Sequence, residues 1–231
     1  MTQVINIQPI TRIEGHASIG IELDDDGNVR DARVNVMSLR GFEKFVEGKP
    51  AEELPRIVSR ICGICPWMHH LASNKAVDGC FGVTPTPTGS KLRELMQTLA
   101  HVEDKLLHFY FLAAPDFVIG PDADYAVRNV IGIAKANPAL AQQVVRMRFM
   151  AKMILDKFSS KTIHPIAGVP GGFSKPMTEA DRREILEKMG ELLDFALFTI
   201  DFAKKEIFPK YLEAIQTDRK STRLNSSHVS Q

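Results

Sequence analysis

Hydrophobic and polar residues alternate along residues 17–36, near the start of the chain. The apolar members of this pattern are Ile19, Ile21 and Leu23, then Ala32, Val34 and Val36. An acidic run with a glycine, Asp-Asp-Asp-Gly-Asn at residues 24–28, separates the two halves. A period of two that is interrupted by turn-forming residues is typical of a β-hairpin. The chain is therefore predicted to begin with a small β region.

From about residue 41 onward the apolar residues are spaced three and four positions apart, which predicts helices. The predicted helices cover residues 66–78, 90–113, 137–159 and 178–207. Asn137 followed by Pro138 is a typical helix start, and the segment 51–61 also has a helical pattern. The predicted fold class is mainly α with a small N-terminal β region (α+β).

Composition restricts the class of protein without identifying it. The chain has 231 residues, a formal net charge of +1, 44% hydrophobic residues and 25% charged residues. This mixture is typical of a globular protein and gives no charged face that would recruit nucleic acid. No window reaches the roughly 18 uninterrupted apolar residues of a membrane span, and the N-terminus lacks a targeting pattern. We therefore expect a cytoplasmic protein without a membrane span.

The cysteines indicate a metal site or a redox site. An odd number, three, in a chain without a signal peptide does not suggest a disulfide framework. Cys62 and Cys65 stand in the segment RICGICPWMHH, where Gly63 is expected to allow a tight turn between the two thiols. Pro66 is suited to the first turn of a helix, whose N-terminus is expected to lower the pKa of Cys65. His69 follows one helical turn later, close enough to be a metal ligand or to hydrogen-bond to a ligating sulfur.

Three interpretations of this segment compete. A thioredoxin-type dithiol would need a strand before the motif, whereas the preceding segment has a helical pattern. A structural zinc module could use Cys62, Cys65, His69 and Cys80, but such sites usually stabilise small domains that lack a core. The third interpretation is a catalytic metal that other ligands complete.

Four segments resemble the large subunit of nickel-iron hydrogenases, in order and at fitting separations. They are PITRIEGH at residues 9–16, RGFE at 40–43, RICGICPWMH at 60–69 and HPIAGVPGG at 164–172. The resemblance covers about residues 1–217 and implies the fold of that family. The family's second cysteine motif, D-P-C-x-x-C-x-x-H, does not occur in this sequence.

The resemblance also implies roles for the residues around the thiols. Cys62 would be a terminal nickel ligand, and Cys65 would bridge nickel to an iron that bears carbon monoxide and cyanide ligands. Thiolates are the soft donors that these metals prefer. His69 would adjust the basicity of a ligating sulfur, and Arg60 would be an orienting cation beside the site.

Other matched positions are implied to act near this centre. Glu14 matches a glutamate that passes protons to and from a nickel-bound thiolate, and we expect its carboxyl to be buried. Glu43 matches a glutamate that helps to bind magnesium, and His164 is expected near the active site at the contact with the small subunit. Cys80 matches no ligand of the family and is expected to be buried as a small apolar residue.

The function implied by the resemblance is reversible, heterolytic oxidation of dihydrogen. Electrons would leave through iron-sulfur clusters in a separate small subunit, because this chain has too few cysteines for clusters of its own. The sequence looks most like the cytoplasmic, cofactor-coupled or viologen-reducing enzymes. Heterodisulfide reductase, or a nicotinamide- or deazaflavin-linked subunit, would then be a partner. The related large subunit of respiratory complex I is a rival, but it lacks the cysteine ligands.

The end of the chain differs from the rest. Residues 218–228 read DRKSTRLNSSH, which resembles the translation of a widely used sequencing-library adapter. We therefore expect residues 1–217 to be the N-terminal part of a hydrogenase large-subunit domain and residues 218–231 to be a non-native tail. With two of the four thiolates, the chain by itself is expected to be inactive.

Overall fold

The computed structural model describes residues 3–217, so the predicted non-native tail lies outside the described residues. The described chain forms two compact units, one of residues 3–113 with 148–178 and one of residues 114–147 with 179–217. Both are mainly helical, and the first contains a small antiparallel sheet, which confirms the predicted fold class. Within residues 3–217, no helix combines the length and the apolar character needed to cross a membrane.

Three antiparallel strands form the main sheet of the first unit. They are β1 (Gln3–Ile7), β2 (Ala17–Leu23) and β3 (Val29–Val36), in the order β1-β2-β3. β2 and β3 are the predicted hairpin, whereas β1 was not predicted. Ile21 lies opposite Ile5 and Ala32, so apolar residues of all three strands share one face.

Short and long helices follow the sheet in the first unit. They are α1 (Phe42–Phe45), α2 (Leu54–Val58), α3 (Pro66–Phe81) and α4 (Pro87–Leu107). Short 3₁₀ turns, Ala51–Glu53 and Ser59–Ile61, flank α2. A short hairpin packs against α3 and α4, and its two strands, β4 (Gly168–Val169) and β5 (Gly172–Phe173), have two residues each.

α4 shows how local sequence sets a helix boundary. The side chain of Thr86 accepts a hydrogen bond from the Gly89 backbone N–H at 3.1 Å, and Pro87 occupies the first turn. The helix therefore begins three residues before the predicted start. Its predicted last turn, His108–Ala113, has π-helical geometry, which the apolar spacing did not reveal.

Helices also make up the second unit. They are α5 (Val130–Ala136), the first part of α6 (Pro138–Ser159), α7 (Glu179–Phe202) and α8 (Leu212–Thr217). Irregular helical segments lie between them at Pro115–Ile119, Ala203–Ile207 and Phe208–Tyr211. The side chain of Asn137 accepts a hydrogen bond from the Leu140 N–H at 3.1 Å, so the predicted helix start is confirmed.

We predict that Leu99→Ala lowers the free energy of unfolding of the chain by about 3 kcal/mol, because it leaves a cavity in the core. Leu99 is 1% exposed in α4. Leu39→Ala removes the same atoms from a side chain that is 84% exposed and should change stability by less than about 0.5 kcal/mol. Denaturant unfolding of both variants measures this difference, and equal losses would contradict the assigned core.

Candidate metal centre

Cys62 and Cys65 lie at the junction of two helical segments. Cys62 follows the Ser59–Ile61 turn in extended backbone, and Cys65 is the residue that caps α3. The Cys65 N–H donates to Cys62 Sγ at 3.1 Å. Both sulfur atoms and a ring nitrogen of His69 lie within 4.8 Å of one another. The segment therefore brings together the three side chains that its spacing predicted.

Gly63 is not needed for this turn in the way we expected. Its φ lies outside the left-handed region that favours glycine, and an added Cβ would meet no atom within 4 Å. The turn depends instead on the hydrogen bond from Cys65 N–H to Cys62 Sγ and on the start of α3 at Pro66.

The electrostatics of Cys65 differ from the sequence prediction. Burial, a hydrogen bond that the Cys65 thiol donates to Cys62, the charge of Cys62 and the charge of Glu14 raise the pKa of the Cys65 thiol to about 12. The pKa is therefore shifted in the direction opposite to the one that we expected from the N-terminus of α3. Without a cation, two adjacent sulfurs near a carboxylate cannot both be charged at neutral pH. The donor set therefore fits a group that provides positive charge, and binding would release a proton.

Glu14 lies within reach of this pair. The Cys62 thiol donates to Glu14 Oε1 at 3.5 Å. The loop that holds Glu14 joins β1 to β2, and Gly15 takes a left-handed φ of 80° in it. The His16 N–H donates to Ser38 Oγ at 3.0 Å and fixes the end of the loop. Glu14 itself is exposed in this chain, so the expected burial of its carboxyl is not observed.

Cys80 is exposed, so our prediction that it is buried was wrong. It lies eleven residues after His69 on α3, which corresponds to about 16 Å along the helix axis. Cys80 therefore cannot complete a tetrahedral site with Cys62, Cys65 and His69. The four-ligand zinc module is excluded on this geometry.

The segment before Cys62 is helical, as predicted, with α2 followed by the Ser59–Ile61 turn. A thioredoxin-type site places its dithiol directly after a strand, and the described residues have no strand there. This geometry disfavours the redox dithiol.

Arg60 and Glu43 lie on the surface of the same unit. Arg60 is exposed and lines a cavity of about 580 Å³ together with Arg40, Phe42 and Arg56. Glu43 is exposed in the first turn of α1. Among residues 3–217, no close group of three His, Cys, Asp or Glu side chains includes Glu43. The predicted magnesium role of Glu43 and the orienting role of Arg60 stay predictions.

His164 contacts the backbone that leads to Cys62. It has a left-handed φ of 59°, and its Nδ1 donates to the Ser59 carbonyl oxygen at 2.9 Å. Ser59 precedes Cys62 by three residues. His164 therefore lies beside the thiol segment and contacts it through the main chain.

A buried ion pair holds the turn at residues 168–173, and the sequence reasoning missed it. Arg93 Nη1 contacts Asp78 Oδ2 at 2.5 Å, and both residues are buried. Arg93 also donates to the carbonyl oxygens of Gly172 and Val169, at 3.0 and 2.7 Å. Asp78 accepts the Gly171 N–H at 2.7 Å. One signal was available, because Arg93 is a charged residue three positions before Met96 on the apolar side of α4.

His70 is a second buried polar residue that the sequence reasoning did not select. Its Nε2 accepts the Gly168 N–H at 3.0 Å, and its Nδ1 faces the Pro55 carbonyl oxygen at 2.9 Å. Burial lowers the pKa of His70 below its ordinary value of 6.5, which favours the neutral ring.

Two family profiles match successive parts of the chain. Residues 40–145 match the family described as nickel-dependent hydrogenase, and residues 4–39 match the family described as HoxL-like. A subunit of the F420-non-reducing hydrogenase vhu of Methanocaldococcus jannaschii is 45% identical over 213 residues, which are 92% of this chain and 51% of that protein. The NAD-reducing hydrogenase HoxS subunit beta of Cupriavidus necator is 37% identical, over 85% of this chain and 43% of that protein.

Solved structures of hydrogenases are also similar to this chain. An NAD⁺-reducing [NiFe]-hydrogenase in the H₂-reduced state superposes with a TM-score of 0.84 at 38% identity, covering 92% of this chain and 47% of that chain. A Ni-Fe-Se hydrogenase from D. vulgaris Hildenborough superposes with a TM-score of 0.75 at 28% identity, covering 92% and 46%. The chain therefore spans about half the length of the relatives that it matches.

We predict that Asp78→Asn lowers the free energy of unfolding by about 3 kcal/mol at neutral pH, because it leaves Arg93 buried without a counter-charge. Hydrogen bonds from Arg93 hold the pKa of Asp78 below its ordinary value of 3.8. The stabilisation is thus present above the unfolded-state pKa and lost as the pH falls through the folded-state pKa. Unfolding measured against pH should show the difference between the two proteins shrinking only in strong acid.

Asp201→Asn is the matched control for this experiment. Asp201 is exposed and contacts Lys205 at 3.3 Å, so its loss should cost less than about 1 kcal/mol. Equal losses from the two substitutions would contradict the role of the buried pair.

Proposed function

Because the chain belongs to the nickel-dependent hydrogenase large-subunit family, we propose that Cys62 and Cys65 provide half of a catalytic nickel-iron centre. The observation that supports this most directly is the cluster itself. A buried thiol, a second thiol and an imidazole lie within 4.8 Å of one another, and a carboxylate lies 3.5 Å from the first thiol. The proposed activity of the whole protein is the reversible oxidation of dihydrogen.

Each thiol has a proposed role. Cys62 would be a terminal ligand of nickel, and Cys65 would bridge nickel and an iron that bears carbon monoxide and cyanide. When bound, this centre would provide the site of heterolytic cleavage of dihydrogen. The raised pKa of Cys65 supports this assignment, since the thiolate form needs a neighbouring cation. The other two thiolates of the family's site would come from a motif that this sequence does not contain.

Glu14 would move the proton that the cleavage releases. Its Oε1 already accepts a hydrogen bond from the Cys62 thiol, and a carboxylate at this distance can take a proton from sulfur. Because Glu14 is also exposed in this chain, it could pass the proton onward to water or to another acceptor. His69, within the cluster, would adjust the basicity of a sulfur.

The proposed partners follow from the family to which the chain belongs. As in the family, electrons would leave through a small iron-sulfur subunit, and the three cysteines of this chain are too few for clusters of its own. Similarity to subunits of an F420-non-reducing hydrogenase and of an NAD-reducing hydrogenase supports a cofactor-coupled or viologen-reducing enzyme. Heterodisulfide reductase and a nicotinamide- or deazaflavin-linked subunit remain predicted partners. The cytoplasmic location stays a prediction, as does the contact of His164 with the small subunit.

The complex I relative is the remaining rival function. That protein has no nickel and lacks the cysteine ligands, whereas here both thiols point into one cluster with His69. The paired thiols therefore favour the hydrogenase over the coupling protein.

We predict that Cys62→Ser and Cys65→Ser each abolish nickel binding and dihydrogen oxidation in the full-length protein assembled with its small subunit. Serine keeps the size of the side chain but removes the soft donor. Cys80→Ser is the matched control, because Cys80 lies at the other end of α3, and it should keep both properties. Metal analysis and the infrared bands of carbon monoxide and cyanide measure the outcome.

Zinc in the unaltered full-length protein, without those infrared bands, would show the proposed function to be wrong. The 231-residue chain alone should not turn over dihydrogen, since it has two of the four thiolates. Turnover by this chain would contradict that prediction.

We predict that Glu14→Gln in the assembled full-length protein lowers dihydrogen turnover about a hundredfold or more, since it removes the proton acceptor. The metal content and the infrared bands should stay unchanged, because the side chain keeps its size. Glu47→Gln, at an exposed residue that contacts Lys44, is the control and should leave turnover unchanged. Unaltered turnover in the Glu14 variant would remove Glu14 from the proton path.

A further inference from the structure

His70 connects three segments of the first unit through one buried ring. It is 1% exposed and lies directly after His69 in α3. Because Nε2 accepts the Gly168 N–H, the proton of the neutral ring is on Nδ1, which donates to the Pro55 carbonyl oxygen at 2.9 Å. The ring therefore joins α3 to α2 on one side and to β4 on the other.

The contact with Gly168 leaves no room for a side chain. An added Cβ at Gly168 would lie 2.7 Å from His70 Nε2 and 2.5 Å from Asn74 Nδ2. Asn74 is itself fully buried, and its Nδ2 donates to the His70 carbonyl oxygen at 2.8 Å. Both the ring and the amide are thus fixed, so any residue larger than glycine must displace the turn from His70.

The backbone on the other side of the ring leads to the thiols. Pro55 lies in α2, and the chain then passes through Ser59 to Cys62. The Ser59 carbonyl oxygen accepts from His164, which belongs to the same loop as Gly168. Residues 55–59 are therefore attached to this loop twice, once directly and once through His70. α3 runs back from His70 to Cys65, so both thiols extend from backbone that the ring connects.

We propose that His70 is a positioning residue that sets the spacing of the Cys62 and Cys65 sulfurs through the hydrogen bonds to Pro55 and Gly168. The proposal rests on the proposed function in one respect, the assignment of these two thiols as metal ligands. The alternative is a buried histidine that contributes only to overall stability. The two roles differ in what they predict for metal affinity in variants of equal stability.

Cadmium binding to the 231-residue chain tests this role without a nickel-iron centre, because Cd²⁺ is a soft ion that absorbs ultraviolet light when thiolates bind it. His70→Phe keeps a ring of similar size but removes both hydrogen bonds, and it should weaken Cd²⁺ binding about tenfold. His70→Gln keeps a donor and an acceptor at similar separation, and it should retain most of the affinity. Leu99→Ala, a destabilised variant with His70 intact, should bind as the unaltered chain does.

Gly168→Ala disrupts the same contact from the other side, so it tests the role even if His70→Phe does not fold. It should weaken Cd²⁺ binding by a similar factor, and combining it with His70→Phe should add little. Gly172→Ala is its control in the same hairpin, because an added Cβ there meets no atom within 4 Å.

Weakened binding in His70→Phe and Gly168→Ala, with retention in the two controls and in His70→Gln, would support the proposal. Equal affinity in all variants would overturn it and leave the proposed function intact. Failure of the unaltered chain to bind Cd²⁺ through its thiols would instead overturn the assignment of the ligands, and this inference with it.

Discussion

The buried ion pair between Asp78 and Arg93 is the interaction that holds together the elements around the candidate metal centre. Two buried charges are tolerated only when each has a partner and when their remaining donors and acceptors are satisfied. Here the turn at residues 168–173 provides those partners, through the Gly171 N–H and the carbonyls of Val169 and Gly172. The same pair joins α3 to α4, so the helix that begins directly after Cys65 has a fixed position in the first unit.

The thiol cluster is a different case, since groups of like charge lie close together in it. Burial raises the pKa of Cys65, and Cys62 and Glu14 add to the effect. The raised pKa keeps the Cys65 thiol neutral, and a bound cation would favour its thiolate. The Asp78–Arg93 pair and its hydrogen bonds thus hold the surrounding helices in place without a ligand. The charge of the Cys65 thiol, in contrast, depends on what binds.

Much of the fold could be predicted from local patterns, because each pattern reports on one element. The hairpin at residues 17–36 and the start of α6 at Pro138 follow from periodicity and from helix-start residues. β1 was missed because its pairing with β2 is a contact between segments that a local pattern does not contain. The π-helical turn at His108–Ala113 keeps the apolar spacing of a helix, so periodicity cannot distinguish it from an α-helical turn.

Within the candidate site, the motif predicted which residues meet but not the environment of each. Cys62, Cys65 and His69 lie together as the spacing required. The burial of Glu14 and of Cys80 was predicted wrongly, because exposure is set by packing against segments distant in sequence. The pKa of Cys65 was predicted in the wrong direction for a related reason. The partial charge of a helix end is a local property, whereas burial and the approach of Glu14 result from the tertiary fold.

The two adjacent histidines show how one helix can serve the site and the core together. Successive residues of an α-helix point about 100° apart, so His69 and His70 cannot face the same way. His69 turns toward the thiols, where a ring nitrogen can contact a metal or a sulfur. His70 turns into the core, where both ring nitrogens are occupied by backbone groups of Pro55 and Gly168. Because both ring nitrogens of His70 are hydrogen-bonded, His70 cannot be a metal ligand. Of the two histidines, only His69 is placed to act at the thiol cluster.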